Sequence, residues 1–352
     1  MKVLIQNFFL LLLISSCSSL FERNTDRDFQ VETNAGTIIG INEGDHYSFK
    51  GIPYAKPPIG DLRWKAPKDL PRSNETIYAI KYENSCVQPG SGNLTFTLNR
   101  DIYSGDEDCL YLNIFVPNNE VAFEKNNFPV MFWVHGGANI YGSGSDYDFS
   151  KLATSQEVII VTTNYRLGIF GWFTSKHLRE TADGLDQSSN FGQLDIIKSL
   201  EWVKSNIRFF GGDPSNVTVF GESAGGHNIL ALLSSPLSKG LFQKAISQSG
   251  YIESYSMDFA EKGSPLSSEE FFEEDIKFLM ESEEIAEKLR SISVEEITKR
   301  VIKISQENDW AEIPKTTRDG IVVPKKGIYS GLRNVDPDLV IVAGTNRDEL
   351  NY

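Results

Sequence analysis

The chain has little with which to hold a metal. Three cysteines and four histidines are spread over 352 residues, and they form no ligand cluster, so neither a metal nor another cofactor is expected. Basic charge is also short. Lys and Arg number 34 against 48 Asp and Glu, a net charge of −14, which disfavours nucleic acid as a partner. There are no internal repeats and no long low-complexity tract, which excludes solenoids and disordered arrays. The apolar run Phe8 to Ile14 is too short to cross a bilayer as a stable anchor. What remains, 40% hydrophobic and 23% charged residues, fits one large globular domain or most of one.

The most informative segment is Phe210 to Gly226, FGGDPSNVTVFGESAGG. It places Ser223 in a G-x-S-x-G turn between an apolar, β-branched strand (Val217 to Phe220) and a helix beginning at Ala224 and running through Ile229, Leu230 and Leu233. In that context the turn reads as a nucleophile elbow: a strained backbone with an exposed hydroxyl, and Gly221 and Gly225 small enough to clear the neighbouring strand and helix. A second glycine turn, VHGGA (Val134 to Ala138), follows the apolar strand Val130 to Val134. Backbone amides are what a developing oxyanion needs, and Ala224, just after the serine, supplies one. Ile196, Leu200, Val203 and Ile207 recur at helical spacing before the elbow strand. Strands alternating with helices predict a mostly parallel sheet covered on both faces. The stretch 251–306 is acidic and helical, and its charge is read as a solvated face.

These motifs resemble the type-B carboxylesterase and cholinesterase family of the α/β-hydrolase fold. So do FKGIPYAKPP (Phe49 to Pro58), LRW (Leu62 to Trp64), EDCLYLNIFVP (Glu107 to Pro117), NYRLGIFGW (Asn164 to Trp172), AISQSG (Ala245 to Gly250) and DGIVVP (Asp319 to Pro324), in the family's order. The resemblance implies hydrolysis of a small carboxylic ester through an acyl-enzyme on Ser223. It makes Glu349, in GTNRDEL after the apolar strand Leu339 to Val342, the triad acid, and adds Gly137 and Ala138 to Ala224 in the oxyanion hole. It matches Glu222 to an acid near the pocket. It also implies a disulfide between Cys86 and Cys109, whose closed loop contributes on the order of 3 kcal/mol. Cholinesterases carry a tryptophan in that loop and this chain has none, which argues against a choline ester.

Serine chemistry needs an imidazole, and α/β hydrolases supply it after the acid. No histidine follows Glu349. His135 reads as structural, His227 as pointing away from the hydroxyl, and His46 and His177 as solvated surface. The family's members run considerably longer, so the expectation is a hydrolase domain over 31–352 that lacks its carboxyl-terminal part, including the catalytic histidine, and leaves a sheet edge open. A complementing second chain, an inactive remnant and a non-catalytic surface binding protein are the alternatives. Before the domain, residues 1–16 have the layout of a lipoprotein signal, with Cys17 as the lipidated residue and 17–30 as a linker. This predicts an exported bacterial membrane lipoprotein at the outer membrane or cell surface, attached only through its lipid. An ordinary secretory signal is the alternative. Export suits the remaining cysteine pair, which an oxidising compartment would join.

Overall fold

The computed structural model describes residues 28–71, 75–90, 103–119, 125, 127–262, 268–307 and 314–349. The signal segment and Cys17 lie outside the described residues. Residues 28–30, assigned above to the linker, begin the first strand instead. Phe29 gives the reason, stacking on Tyr47 at 3.9 Å and meeting Phe49 edge-on at 6.2 Å.

Among the described residues, twelve strands run in the order β1 (Asp28–Thr33), β2 (Gly36–Asn42), β3 (His46–Pro53), β4 (Ile77–Tyr78), β5 (Gln88–Pro89), β6 (Tyr103–Ser104), β7 (Tyr111–Pro117), β8 (Phe128–Val134), β9 (Ile159–Thr163), β10 (Gly212–Glu222), β11 (Lys244–Gln248) and β12 (Val340–Gly344). The central sheet has the spatial order β1-β2-β3-β7-β9-β8-β10-β11-β12, with β4 beside β2. From β9 to β12 every pairing is parallel. From β1 through β3 and β7 to β9 the pairings are antiparallel, and between β1, β2 and β3 the links are so short that they leave room only for hairpins. The parallel half carries the elbow.

Side chains alternate across the sheet as a strand's period of two requires. Ile114, Phe132, Val161 and Val219 face the larger core, while their neighbours Phe115, Trp133, Ile160 and Phe220 face a second, aromatic-rich one. From β7 to β10 both faces are therefore covered. The helix Phe191–Asn206 buries residues around most of its circumference. That explains why its expected apolar seam extends beyond one face, with Ile207 passing into the 3-10 turn Ile207–Phe210. The acidic stretch folds into Met257–Lys262, Ser282–Ser291 and Val294–Glu307, which bury Ile285, Leu289 and Ile297 and leave most of their acids exposed.

Two signature segments meet in a buried ion pair. Arg63 donates from Nε and Nη2 to the two Glu107 oxygens, each at 2.6 Å. Nearby, Cys86 and Cys109 are joined, their Cα atoms 4.9 Å apart.

Candidate active site

Strands β10, β11 and β12 are parallel neighbours in register, with Glu222 beside Gln248 and Gln248 beside Gly344. Their carboxyl ends thus form one line, where open α/β sheets bind ligands. Ser223 follows β10 at φ 56° and ψ −120°, a conformation an L-residue adopts only when its surroundings over-determine it. Those surroundings are visible. The Ser223 N–H donates to the Gln248 carbonyl at 2.9 Å, and the Ser223 carbonyl accepts from the His227 N–H at 2.9 Å, which starts the helix Ala224–Ser234. A Cβ on Gly225 would lie 2.1 Å from the Val134 carbonyl oxygen, and one on Gly221 would lie 2.7 Å from the same oxygen and from the Gly225 backbone. The tight turn exists because both positions lack a side chain. Ser223 itself stays half-exposed.

The glycine loop after β8 packs directly on this elbow. A Cβ on Gly136 would come 3.4 Å from the Ser223 Cβ and 2.8 Å from the Glu222 carbonyl oxygen. Gly137, Ala138 and Asn139 all take positive φ, at 95°, 57° and 58°. The Gly137 carbonyl accepts from the N–H groups of Ile140 and Tyr141, at 2.9 and 3.1 Å. Among the described residues, the N–H groups of Gly137, Ala138 and Ala224 meet no intramolecular acceptor. Asn139 ties the loop down: its fully buried side chain accepts from Asn228 Nδ2 at 2.9 Å and donates to the Pro314 carbonyl at 3.2 Å. Gln88 holds the far end, accepting from the Gly142 N–H at 2.8 Å and donating to the Gly142 carbonyl at 3.1 Å.

Glu349 stands beyond β12. Its Oε1 accepts from the Ser249 hydroxyl, the Asn346 N–H at 2.7 Å and the Thr345 hydroxyl at 3.0 Å. These bonds, Ser249 first, hold the carboxyl below the usual glutamate range and keep it ionised. Ser249 also donates its N–H to Gly344, at 2.7 Å, locking β11 to β12 at this point. Glu222 is exposed overall, but its carboxyl faces Gly136. Burial of that end raises its pKa, and the charge of Glu349 raises it further.

None of the four imidazoles serves this centre. His227 is fully buried. Its Nδ1 donates to the Tyr251 carbonyl at 2.8 Å, its Nε2 lies 3.3 Å from the Thr316 hydroxyl, and its ring stacks on Tyr251 at 4.1 Å. His135 lies under the glycine loop, with Nδ1 2.8 Å from the Gly136 carbonyl and its ring stacked on Tyr165 at 4.3 Å. Burial pushes both down to about 4. His46 and His177 depart from the expected solvated surface, keeping 13% and 26% side-chain exposure. His46 pairs with Asp45, and His177 lies between Ser282 and Glu269, so each is held by local polar contacts.

The family model described as "Carboxylesterase family" matches residues 27–352. The chain belongs to the carboxylesterase family. Among relatives of this carboxylesterase-family chain, para-nitrobenzyl esterase of Bacillus subtilis (strain 168) is 40% identical over 331 residues, covering 91% of this chain and 62% of the relative. Carboxylesterase 5A of Felis catus is 44% identical over 224 residues, 62% of this chain and 38% of the relative. Of solved structures, a PNB esterase superposes with a TM-score of 0.75 at 36% identity, over 91% of this chain and 64% of that one. A carboxylesterase of Geobacillus stearothermophilus gives 0.74 at 32% identity, over 91% and 62%. The chain thus spans less than two thirds of the length of these relatives.

Sequence reasoning overlooked the residues that hold the centre in place. Ser249 lies within AISQSG, yet only its positive φ of 51° and its bond to Glu349 give it a part. Asn139, Asn228 and Gln88 carry no local signal, since their partners lie between 54 and 175 residues away along the chain.

Proposed function

We propose that this chain carries the nucleophile, the oxyanion donors and the triad acid of a serine carboxylic ester hydrolase, and that the general base is an imidazole from outside residues 1–352. The observation that carries the reading is Ser223, held at φ 56° on the carboxyl end of β10 with the glycine loop packed against it. In this reading the base takes the Ser223 proton as Oγ attacks the ester carbonyl. The oxygen that becomes negative receives hydrogen bonds from the Gly137, Ala138 and Ala224 amides. Collapse expels the alcohol, protonated by the base, and water then releases the acid by the same route. Glu349, already ionised, orients the base and stabilises its cationic form. No step needs a cofactor, and the substrate class is a small carboxylic ester without a quaternary ammonium group.

The buried states of His135 and His227 support an outside base, because a proton acceptor must lie within hydrogen-bond reach of the hydroxyl. The test measures p-nitrophenyl acetate hydrolysis by the chain alone and with a polypeptide matching the remaining carboxyl-terminal portion of para-nitrobenzyl esterase. The chain alone is expected to match its own Ser223→Ala variant. The complemented protein is expected to lose about 10⁴-fold or more on Ser223→Ala. Serine-dependent turnover by the chain alone sinks the outside base, and a fully active Ser223→Ala complement sinks the nucleophile.

We also place the protein outside the cytoplasm, tethered through a lipid on Cys17. The Cys86–Cys109 bond supports export, since such bonds persist in oxidising compartments. Labelled palmitate should enter the parent protein and not the Cys17→Ala variant. Equal labelling of both would rule the tether out.

A further inference from the structure

Away from the elbow, a cleft of about 930 Å³ opens between the helix Lys176–Glu180, the chain at Ser256 and Met257, and the loop 318–327. Neither Ser223, Glu222 nor Glu349 lines it. Its wall carries Arg318, Lys325, Gln187 and Ser256, with Met257 and Ile321 as apolar surface. In a chain of net charge −14, the charge balance of this wall is unusual. Arg179 is engaged by Glu261, and Glu180 by Ser282 and Lys176. Asp319 spends its charge inward: Oδ1 accepts from the N–H groups of Ile321, Val322 and Val323 at 2.9 to 3.0 Å, and Oδ2 from Ser188 and Asn190 at 2.6 and 2.9 Å. Arg318 and Lys325 have no ion-pair partner among the described residues.

Both cations are pre-positioned. The Asp319 bonds pin the loop that bears them, and the Arg318 N–H donates to the Tyr255 carbonyl at 2.8 Å. Their alkyl stems lie across two glycines. A Cβ on Gly320 would meet Lys325 Cγ and Cε at 2.9 Å, and one on Gly327 would meet Arg318 Cδ at 3.3 Å. Among the described residues, the Arg318 side chain gives only Nε to the protein, to the Tyr255 carbonyl at 3.3 Å, which leaves the Nη groups for a ligand. A guanidinium fork and an ammonium lining one cleft match a carboxylate, and holding the stems still in advance lowers the entropy cost of binding.

We infer that this cleft binds a small organic carboxylate, with Arg318 and Lys325 on the carboxylate and Met257 and Ile321 against its apolar body. The site is separate from the ester chemistry and does not rest on it. The test is calorimetric titration of the chain with benzoate and with inorganic phosphate at low salt. Saturable 1:1 benzoate binding is expected, at least tenfold tighter than phosphate. Arg318→Gln and Lys325→Gln should each weaken it tenfold or more, and Ser223→Ala should leave it unchanged. Lys325 is exposed and makes no hydrogen bond or ion pair among the described residues, so its variant keeps the test valid should Arg318→Gln disturb the loop. The inference falls if benzoate does not saturate the parent, if Lys325→Gln binds like the parent, if phosphate binds as tightly as benzoate, or if Ser223→Ala removes binding.

Discussion

At the residue scale the elbow depends on what its glycines lack. Adding a methyl at Gly225 puts a carbon 2.1 Å from the Val134 carbonyl oxygen, on a β8 strand held on both sides by its neighbours. Gly225→Ala is therefore expected to cost at least about 2 kcal/mol in chemical denaturation. A variant as stable as the parent would show that the elbow has slack. The two buried imidazoles give the molecule an acid limit. His135 and His227 titrate near 4 in the folded chain against 6.5 as the ordinary value, so the neutral rings stabilise the fold fully above pH 6.5. That contribution drains away as the pH falls from 6.5 toward 4, on the order of 2 kcal/mol per ring by pH 5. Urea midpoints at pH 7 and pH 5 should show the loss, and His227→Gln should make it smaller. An unchanged pH dependence in that variant would remove His227 from the account.

Among the elements, the segment Asn164 to Trp172 is fastened to the helix Phe191–Asn206 by one buried pair. Arg166 donates from its backbone N–H and Nε to Asp195 Oδ2 at 3.0 and 2.8 Å, and from Nη2 to Oδ1 at 2.7 Å. With 3% and 0% of the two side chains exposed, removing one partner leaves the other charged in a dry place. Asp195→Ala is expected to cost about 3–5 kcal/mol in urea unfolding, and replacing both partners by apolar residues should recover much of it. A loss under 1 kcal/mol would mean that water reaches the stranded guanidinium. The motifs at Asn164 to Trp172 and Glu107 to Pro117 were legible as signatures. That each ends in a buried ion pair was not, because the partners Asp195 and Arg63 stand 29 and 44 residues away.

For the whole molecule, the sheet is asymmetric. β1 ends one side as a hairpin strand packed through Phe29. β12 ends the other with all five residues exposed, Val340, Ile341 and Val342 at 56%, 44% and 54%. A β-branched edge strand with unpaired backbone groups is a template for further strand pairing. The described chain should self-associate at micromolar concentration, and Val342→Lys should reduce light scattering severalfold. Equal scattering by the lysine variant would place the sticky surface elsewhere.

Local sequence was enough for those features whose cause is local. The elbow, its helix, the glycine loop and the β-branched strands of the parallel half follow from spacing and steric size within a few residues. The family resemblance carried the Cys86–Cys109 pairing and the place of Glu349. The fold alone decided which distant groups converge. It lined up the ends of β10, β11 and β12, set Ser249 on Glu349, clamped Gly142 with Gln88 and drew His46 and His177 out of full solvent. Such contacts depend on register between strands far apart in the chain, and no periodicity in a single segment encodes them.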